Sequence, residues 1–157
     1  MTGFTLIELM VSLAIGVTLV LLAVPSYRGF IATQRIKNAA YDLNYTLVFA
    51  RSEAIKRAGN VVITPSSTCW QSGWTVTVGG TTLSQQAAYP DLQIAASASP
   101  AASITFNSEG RLTSASTPFQ ISSLTLASAK SRCVNLDLSG LPSSKVNACT
   151  LATVSCP

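Results

Sequence analysis

The sequence predicts an α+β fold: a long N-terminal α-helix, hydrophobic in its first half, packed on a small antiparallel β-sheet head. Three observations carry this. Residues 4–24 form an apolar run with a single charge, Glu8. Apolar residues then recur at helical spacing, and after Gly59 short apolar segments alternate with turn residues. The composition agrees, since 48% of the 157 residues are hydrophobic and only 10% are charged, against roughly 25% in ordinary soluble domains.

At 1.5 Å per residue the run 4–24 makes a helix of roughly 30 Å, about the thickness of a bilayer's hydrocarbon core. A cleaved secretory signal would open on basic residues and close on a small-x-small step. Here Met1, Thr2 and Gly3 are uncharged, and the run leads into Pro25-Ser26-Tyr27-Arg28. Beyond Pro25, Ile36, Ala40, Leu43, Leu47, Ala50 and Ala54 recur every three or four residues and define one apolar helix face. Arg28, Arg35, Lys37, Asp42, Arg51, Glu53, Lys56 and Arg57 are assigned to the other face, and Gly59 is the expected stop. The helix is expected over residues 4–57, about 80 Å long.

The remainder reads as strands at 61–64, 75–78, 92–95, 103–106, 119–127, 132–138 and 145–149, forming one small sheet. Gly79-Gly80 and Asn107-Ser108-Glu109-Gly110 supply turn chemistry, and 95–102, made of Ala, Ser and Pro, reads as an exposed connection. The expected organisation is a leader at 1–3, a membrane or filament-core helix at 4–24, an amphipathic helix at 25–57 and a β-rich head at 58–157.

Several functions are excluded or weakened. With no histidine there is no imidazole base or ligand, and the head's acids, Asp91, Glu109 and Asp137, have no paired spacing. The reading is therefore not an enzyme, with no cofactor and no metal. Trp70 and Trp74 read as core or sheet-face residues. The net charge of +4 is too dilute to mark a nucleic-acid binder by itself.

Glu8 is the informative exception, because a lone carboxylate in an apolar medium needs a partner and residues 1–24 hold no Lys or Arg. Its partner must come from another molecule or from a newly made amino terminus. The segment Gly3-Phe4-Thr5-Leu6-Ile7-Glu8-Leu9 resembles the class III signal of type IV pilins and type II secretion pseudopilins. The resemblance implies that a prepilin peptidase cuts after Gly3 and N-methylates Phe4. In the filament, Glu8 of one subunit would neutralise the new amine of its neighbour. Pro25 resembles the family's helix-kinking proline. The leader Met1-Thr2-Gly3 departs from the family's longer, basic one.

Ala50-Arg51-Ser52-Glu53-Ala54-Ile55-Lys56-Arg57, Cys69-Trp70-Gln71-Ser72-Gly73-Trp74 and Ile104-Thr105-Phe106-Asn107-Ser108-Glu109-Gly110-Arg111 look like the GspH/FimT/FimU minor pilins and pseudopilins. That group implies a type IV pilin fold and a minor pilin that primes pilus assembly and lies at or near the filament tip. It also implies a single-pass inner-membrane protein with a periplasmic head before assembly and a cell-surface pilus afterwards. Its expected partners are other major and minor pilins or pseudopilins, the prepilin peptidase, the inner-membrane assembly platform and, before assembly, membrane lipid.

Two alternatives stand beside this reading. One is a type II secretion tip pseudopilin. The other is a FimT-like DNA-binding competence pilin, whose basic Gly-Arg-x-Arg pattern corresponds here to Ser139-Gly140-Leu141-Pro142-Ser143, without arginines. Lys130, Arg132 and Lys145 remain as possible DNA contacts, too few to favour that activity. Cys69, Cys133, Cys149 and Cys156 match neither a CxxC redox site nor a zinc knuckle, and an oxidising periplasm favours disulfides. Of three connectivities, Cys133–Cys149 is preferred because the two flank an expected hairpin centred on Leu141, which leaves Cys69–Cys156.

Overall fold

In the computed structural model, residues 5–96, 103–113, 118–146 and 149 are described, with only the backbone at 22–26. Helix α1 spans Leu6–Arg57 without interruption and so includes Pro25. Thr5 caps its start: the Oγ1 accepts a hydrogen bond from the Glu8 backbone N–H at 3.4 Å. The stop is one residue earlier than the glycine signal indicates. Ala58 adopts the left-handed conformation (φ 48°), and its N–H and that of Gly59 donate to the carbonyls of Ile55 and Ala54, both at 3.2 Å. This is the Schellman pattern, which satisfies two otherwise orphaned carbonyls.

The expected apolar face of the helix is buried in full: Ile36, Ala40, Leu43, Leu47, Ala50 and Ala54 are at most 1% exposed, joined by Ala39 and Thr46. The opposite face departs from expectation. Tyr41, Tyr45 and Val48 stand outward at i, i+4 and i+7, exposed, with Tyr45 stacked on Phe49 at 6.3 Å and the Lys37 ammonium 5.8 Å from the Tyr41 ring centre. The charged residues flank this stripe instead of filling it.

The head holds two four-stranded antiparallel sheets in place of the single one expected. The strands are β1 (Val61–Pro65), β2 (Trp74–Val78), β3 (Thr81–Gln86), β4 (Leu92–Ala96), β5 (Ile104–Phe106), β6 (Phe119–Ser123), β7 (Arg132–Leu136) and β8 (Pro142–Val146). One sheet runs β3-β2-β1-β5 and the other β4-β6-β7-β8, and α1 touches both. The sixth strand ends at Ser123, short of the expected 127, because Ser123 turns the chain: its Oγ accepts from the N–H groups of Thr125 and Leu126 at 3.2 and 3.1 Å. Gly79 and Gly80, at φ 53° and 84°, close the β2–β3 hairpin.

Aromatic side chains join the sheets. Trp74 on β2 and Trp70 in the 3-10 turn Trp70–Ser72 are buried, and Trp70 meets Phe119 of β6 edge-on at 5.0 Å. The Trp74 indole N–H donates to the Thr46 hydroxyl (3.1 Å), and the Tyr89 hydroxyl donates to the Asp42 carboxylate (2.7 Å). At the far end of the helix two hairpin turns interlock. A Cβ at Gly140 would lie 2.3 Å from the Gly110 carbonyl oxygen, and Arg51 Nε donates to that same oxygen at 3.1 Å. Both glycines have positive φ, 73° and 76°, so turn shape and close approach each demand glycine.

Candidate assembly surface

Residues 6–21 of the helix pack against no described part of the head. Every one is exposed, from Leu6 at 78% to Leu21 at 67%, although the stretch is almost wholly apolar. Its two hydroxyls are satisfied locally: that of Ser12 donates to the Glu8 carbonyl at 2.6 Å, and that of Thr18 to the Ile15 carbonyl at 2.8 Å. Such back-bonding removes the cost of placing a hydroxyl in an apolar medium. Glu8 lies in the first turn, where a carboxylate also complements the helix dipole. Among the described residues no cation pairs with it. Ser12 and Gly16, four apart, line a shallow apolar groove with Leu9, Leu13, Val17 and Val20, and nothing lies within 4 Å of a Cβ built at Gly16. Small residues at this spacing allow a second helix to approach closely.

Among the described residues no helix is long and apolar enough to cross a membrane. Gly3 and Phe4, the expected processing site, and Cys156 lie outside the described residues.

Where the helix meets the head, a groove of about 390 Å³ opens between Tyr27, Arg28 and Ile31 on one side and Ser123, Thr125 and Leu126 on the other. Arg35 and Asp91 close one end of it with an ion pair. Sequence reasoning missed this groove, because its head wall is a turn read as the tail of a strand.

Cys133 and Cys149 are joined by a disulfide with their Cα atoms 5.1 Å apart. The expected hairpin register is corrected: Cys133 lies opposite Lys145, and β8 ends at Val146 instead of spanning 145–149. Pro142, Ser143 and Ser144 pair with β7, and the cysteine beyond the strand reaches back to it. Cys69 is also disulfide-bonded.

The candidate DNA contacts do not converge. Arg132 shares the core-side parity of the buried Val134 and Leu136, and lies opposite Val146. Lys145, opposite Cys133, belongs to the other parity, so the two cations project to different faces of the sheet. Lys130 precedes β7 and is exposed. Among the described residues no group of His, Cys, Asp or Glu is arranged to hold a metal ion.

Residues 39–140 match the family model described as type II transport protein GspH. Among solved structures, the chain is similar to the type IV minor pilin FimU of Pseudomonas aeruginosa strain PAO1, at 21% identity and TM-score 0.63, over 82% of this chain and 99% of that one. It is also similar to the minor pseudopilin EpsH from the type 2 secretion system of Vibrio cholerae, at 15% identity and TM-score 0.57, over 71% and 97%. Both share the long helix packed on antiparallel sheets, the type IV pilin fold. No curated protein matches the chain.

Proposed function

This chain belongs to the GspH family of pilin-like structural subunits, and from that membership we propose that it is a minor type IV pilin that primes pilus assembly and lies at or near the filament tip. The observation that carries the reading is the bare stem. An exposed apolar helix bearing one carboxylate is unstable in water until membrane or other helices cover it. The proposed sequence of events begins with storage in the inner membrane through residues 4–24, the head in the periplasm. The prepilin peptidase then cuts between Gly3 and Phe4 and methylates the new Phe4 amine. At the inner-membrane platform the helix leaves the lipid and enters a bundle of other pilins, where Glu8 neutralises a neighbour's amine and Pro25 shapes the rod. No catalytic role forms part of this reading.

Replacing Glu8 with Ala tests it. Recruitment into the pilus or its initiation complex should fall sharply while the head remains folded, because the side chain is exposed and supports no head contact. Normal piliation by Glu8→Ala would sink the Glu8 assignment.

The likeness to EpsH and the family's description favour one second reading, a type II secretion tip pseudopilin. Deleting the gene separates the two, since a pilin deletion abolishes pili and leaves secretion intact. DNA uptake gains no support from three cations on divergent faces. A mobility-shift titration of the head with duplex DNA at moderate salt should show no binding at micromolar protein.

A further inference from the structure

Along α1 the described part of the apolar run, residues 6–24, rises through roughly 28 Å, close to the depth of a hydrocarbon core, and residues 25–29 rise through the next ~8 Å. In the membrane-storage reading that interval is the headgroup layer, and the groove between helix and head begins there, at Tyr27 and Arg28, and continues to Arg35. Its walls are amphipathic: Ile31 and Leu126 are apolar and half-buried, while Arg28 is exposed and, among the described residues, has no acidic partner. Arg35, the other guanidinium in the groove, is held by Asp91. The head wall is fixed in advance, since Ser123 Oγ holds two backbone N–H groups of the turn and the Leu124 N–H donates to the Asp91 carbonyl at 3.1 Å. Tyr27, in the groove's lining, is 66% exposed, and Phe30 and Leu124, adjacent in sequence to lining residues, are 60% and 58% exposed. Aromatic residues at this depth are typical of a membrane interface.

We propose that this groove seats the headgroup of one anionic phospholipid while the chain is stored in the membrane. The Arg28 guanidinium takes the phosphate, Thr125 supplies a hydroxyl, and Ile31 and Leu126 lie along the glycerol and first acyl carbons. The inference rests on the membrane-storage reading of the stem and adds to it a defined lipid site. Extraction into a filament empties the site, so lipid occupancy opposes premature assembly.

The test uses the full chain reconstituted in vesicles of matched acyl chains, half phosphatidylglycerol and half phosphatidylcholine. Flotation is measured first, and retained lipid is then identified by native mass spectrometry. Wild type should float and keep one phosphatidylglycerol in about fivefold preference, the effect expected of one cation at an anionic surface. Arg28→Gln should float equally and lose the preference, Arg28→Lys should restore most of it, and Lys130→Gln, outside the groove, should behave as wild type. Equal retention of both lipids, or an unchanged preference in Arg28→Gln, overturns the lipid site and leaves membrane storage standing. Displacement of the lipid by millimolar inorganic phosphate overturns it in favour of a simple anion site. Failure of the wild-type chain to float overturns both the site and the membrane reading.

Discussion

Gly140 shows how tightly a single position can be constrained. The atom that a Cβ there would strike at 2.3 Å is the Gly110 backbone oxygen, which Arg51 also holds, so the obstacle is not a flexible side chain. Positive φ adds its own penalty for any L side chain. Gly140→Ala should therefore lower stability by roughly 2–4 kcal/mol, combining backbone strain with displacement of a packed turn. Gly79→Ala, at φ 53° with nothing within 4 Å of the added methyl, should cost only about 1 kcal/mol. Denaturant unfolding of the two variants compares these values directly, and equal losses would show that the Gly110–Gly140 contact contributes nothing. Tyr89 offers a pH-dependent counterpart. Burial raises its phenol pKa above the usual tyrosine value, and the hydrogen bond to Asp42, with the charge of that carboxylate, raises it further. The unfolded chain ionises near pH 10 while the folded one resists, so stability from this group is complete below pH ~10 and declines as the pH rises towards the folded value. Tyr89→Phe should be less stable than wild type at neutral pH by about 1.5 kcal/mol and should lack this alkaline component. Thermal melts between pH 8 and 11 that fall in parallel for both proteins would refute the assignment.

At the scale of elements, the helix was the most legible part, because a 3.6-residue period leaves the same imprint whether or not tertiary structure is known. All six residues assigned to its buried face are in the core. The outward stripe of Tyr41, Tyr45 and Val48 was hidden, since periodicity identifies one apolar face and the flanking charges mask a second. Strand β3, Thr81–Gln86, was missed for a physical reason: it is a polar edge strand whose residues are exposed or half-buried, so it carries no apolar alternation. The split into two sheets was equally invisible, because pairing β1 with β5 and β4 with β6 depends on long-range register that no local pattern encodes. The C-terminal hairpin shows a right pairing reached through a wrong geometry. Centring the turn on Leu141 assumed that cysteines flanking a hairpin face one another, whereas Asp137 and Gly140 make the turn, with Gly140 N–H on the Asp137 carbonyl at 2.8 Å. That shift places Cys133 opposite Lys145, while the disulfide joins it to Cys149, three residues past the end of β8. The chain has four cysteines, so Cys69 and Cys156 are expected to form the second bridge. Non-reducing peptide mapping should yield Cys133–Cys149 and Cys69–Cys156 as the two linked pairs; a Cys69 peptide linked to Cys133 or Cys149 would break the scheme.

For the whole molecule, folding and association are divided along one helix. Among the described residues none before Ile36 belongs to the buried core, so the head gains almost nothing from the described part of the stem. Residues 6–21 in turn leave eleven large apolar side chains exposed, from Leu6, Ile7 and Leu9 to Leu19, Val20 and Leu21. At about 2 kcal/mol each, that is on the order of 20 kcal/mol of unrealised burial, far above the net stability of most domains. Such a store serves only a surrounding that covers the helix, and on the proposed reading transfer between lipid and bundle would exchange one apolar environment for another at little net cost. On the proposed reading Glu8 then breaks the balance, since its carboxylate would gain a partner in a bundle of amine-bearing neighbours and has none among the described residues. The division makes a clean prediction. A chain lacking residues 1–26 should remain soluble without detergent, stay monomeric and melt within about 3 °C of the full chain measured in detergent, the shift that roughly 1 kcal/mol produces at this size. It should retain the tryptophan environment of Trp70 and Trp74, read by fluorescence. A loss of more than about 10 °C, or the loose tertiary signals of a molten state, would mean that the stem supports the fold as well as assembly.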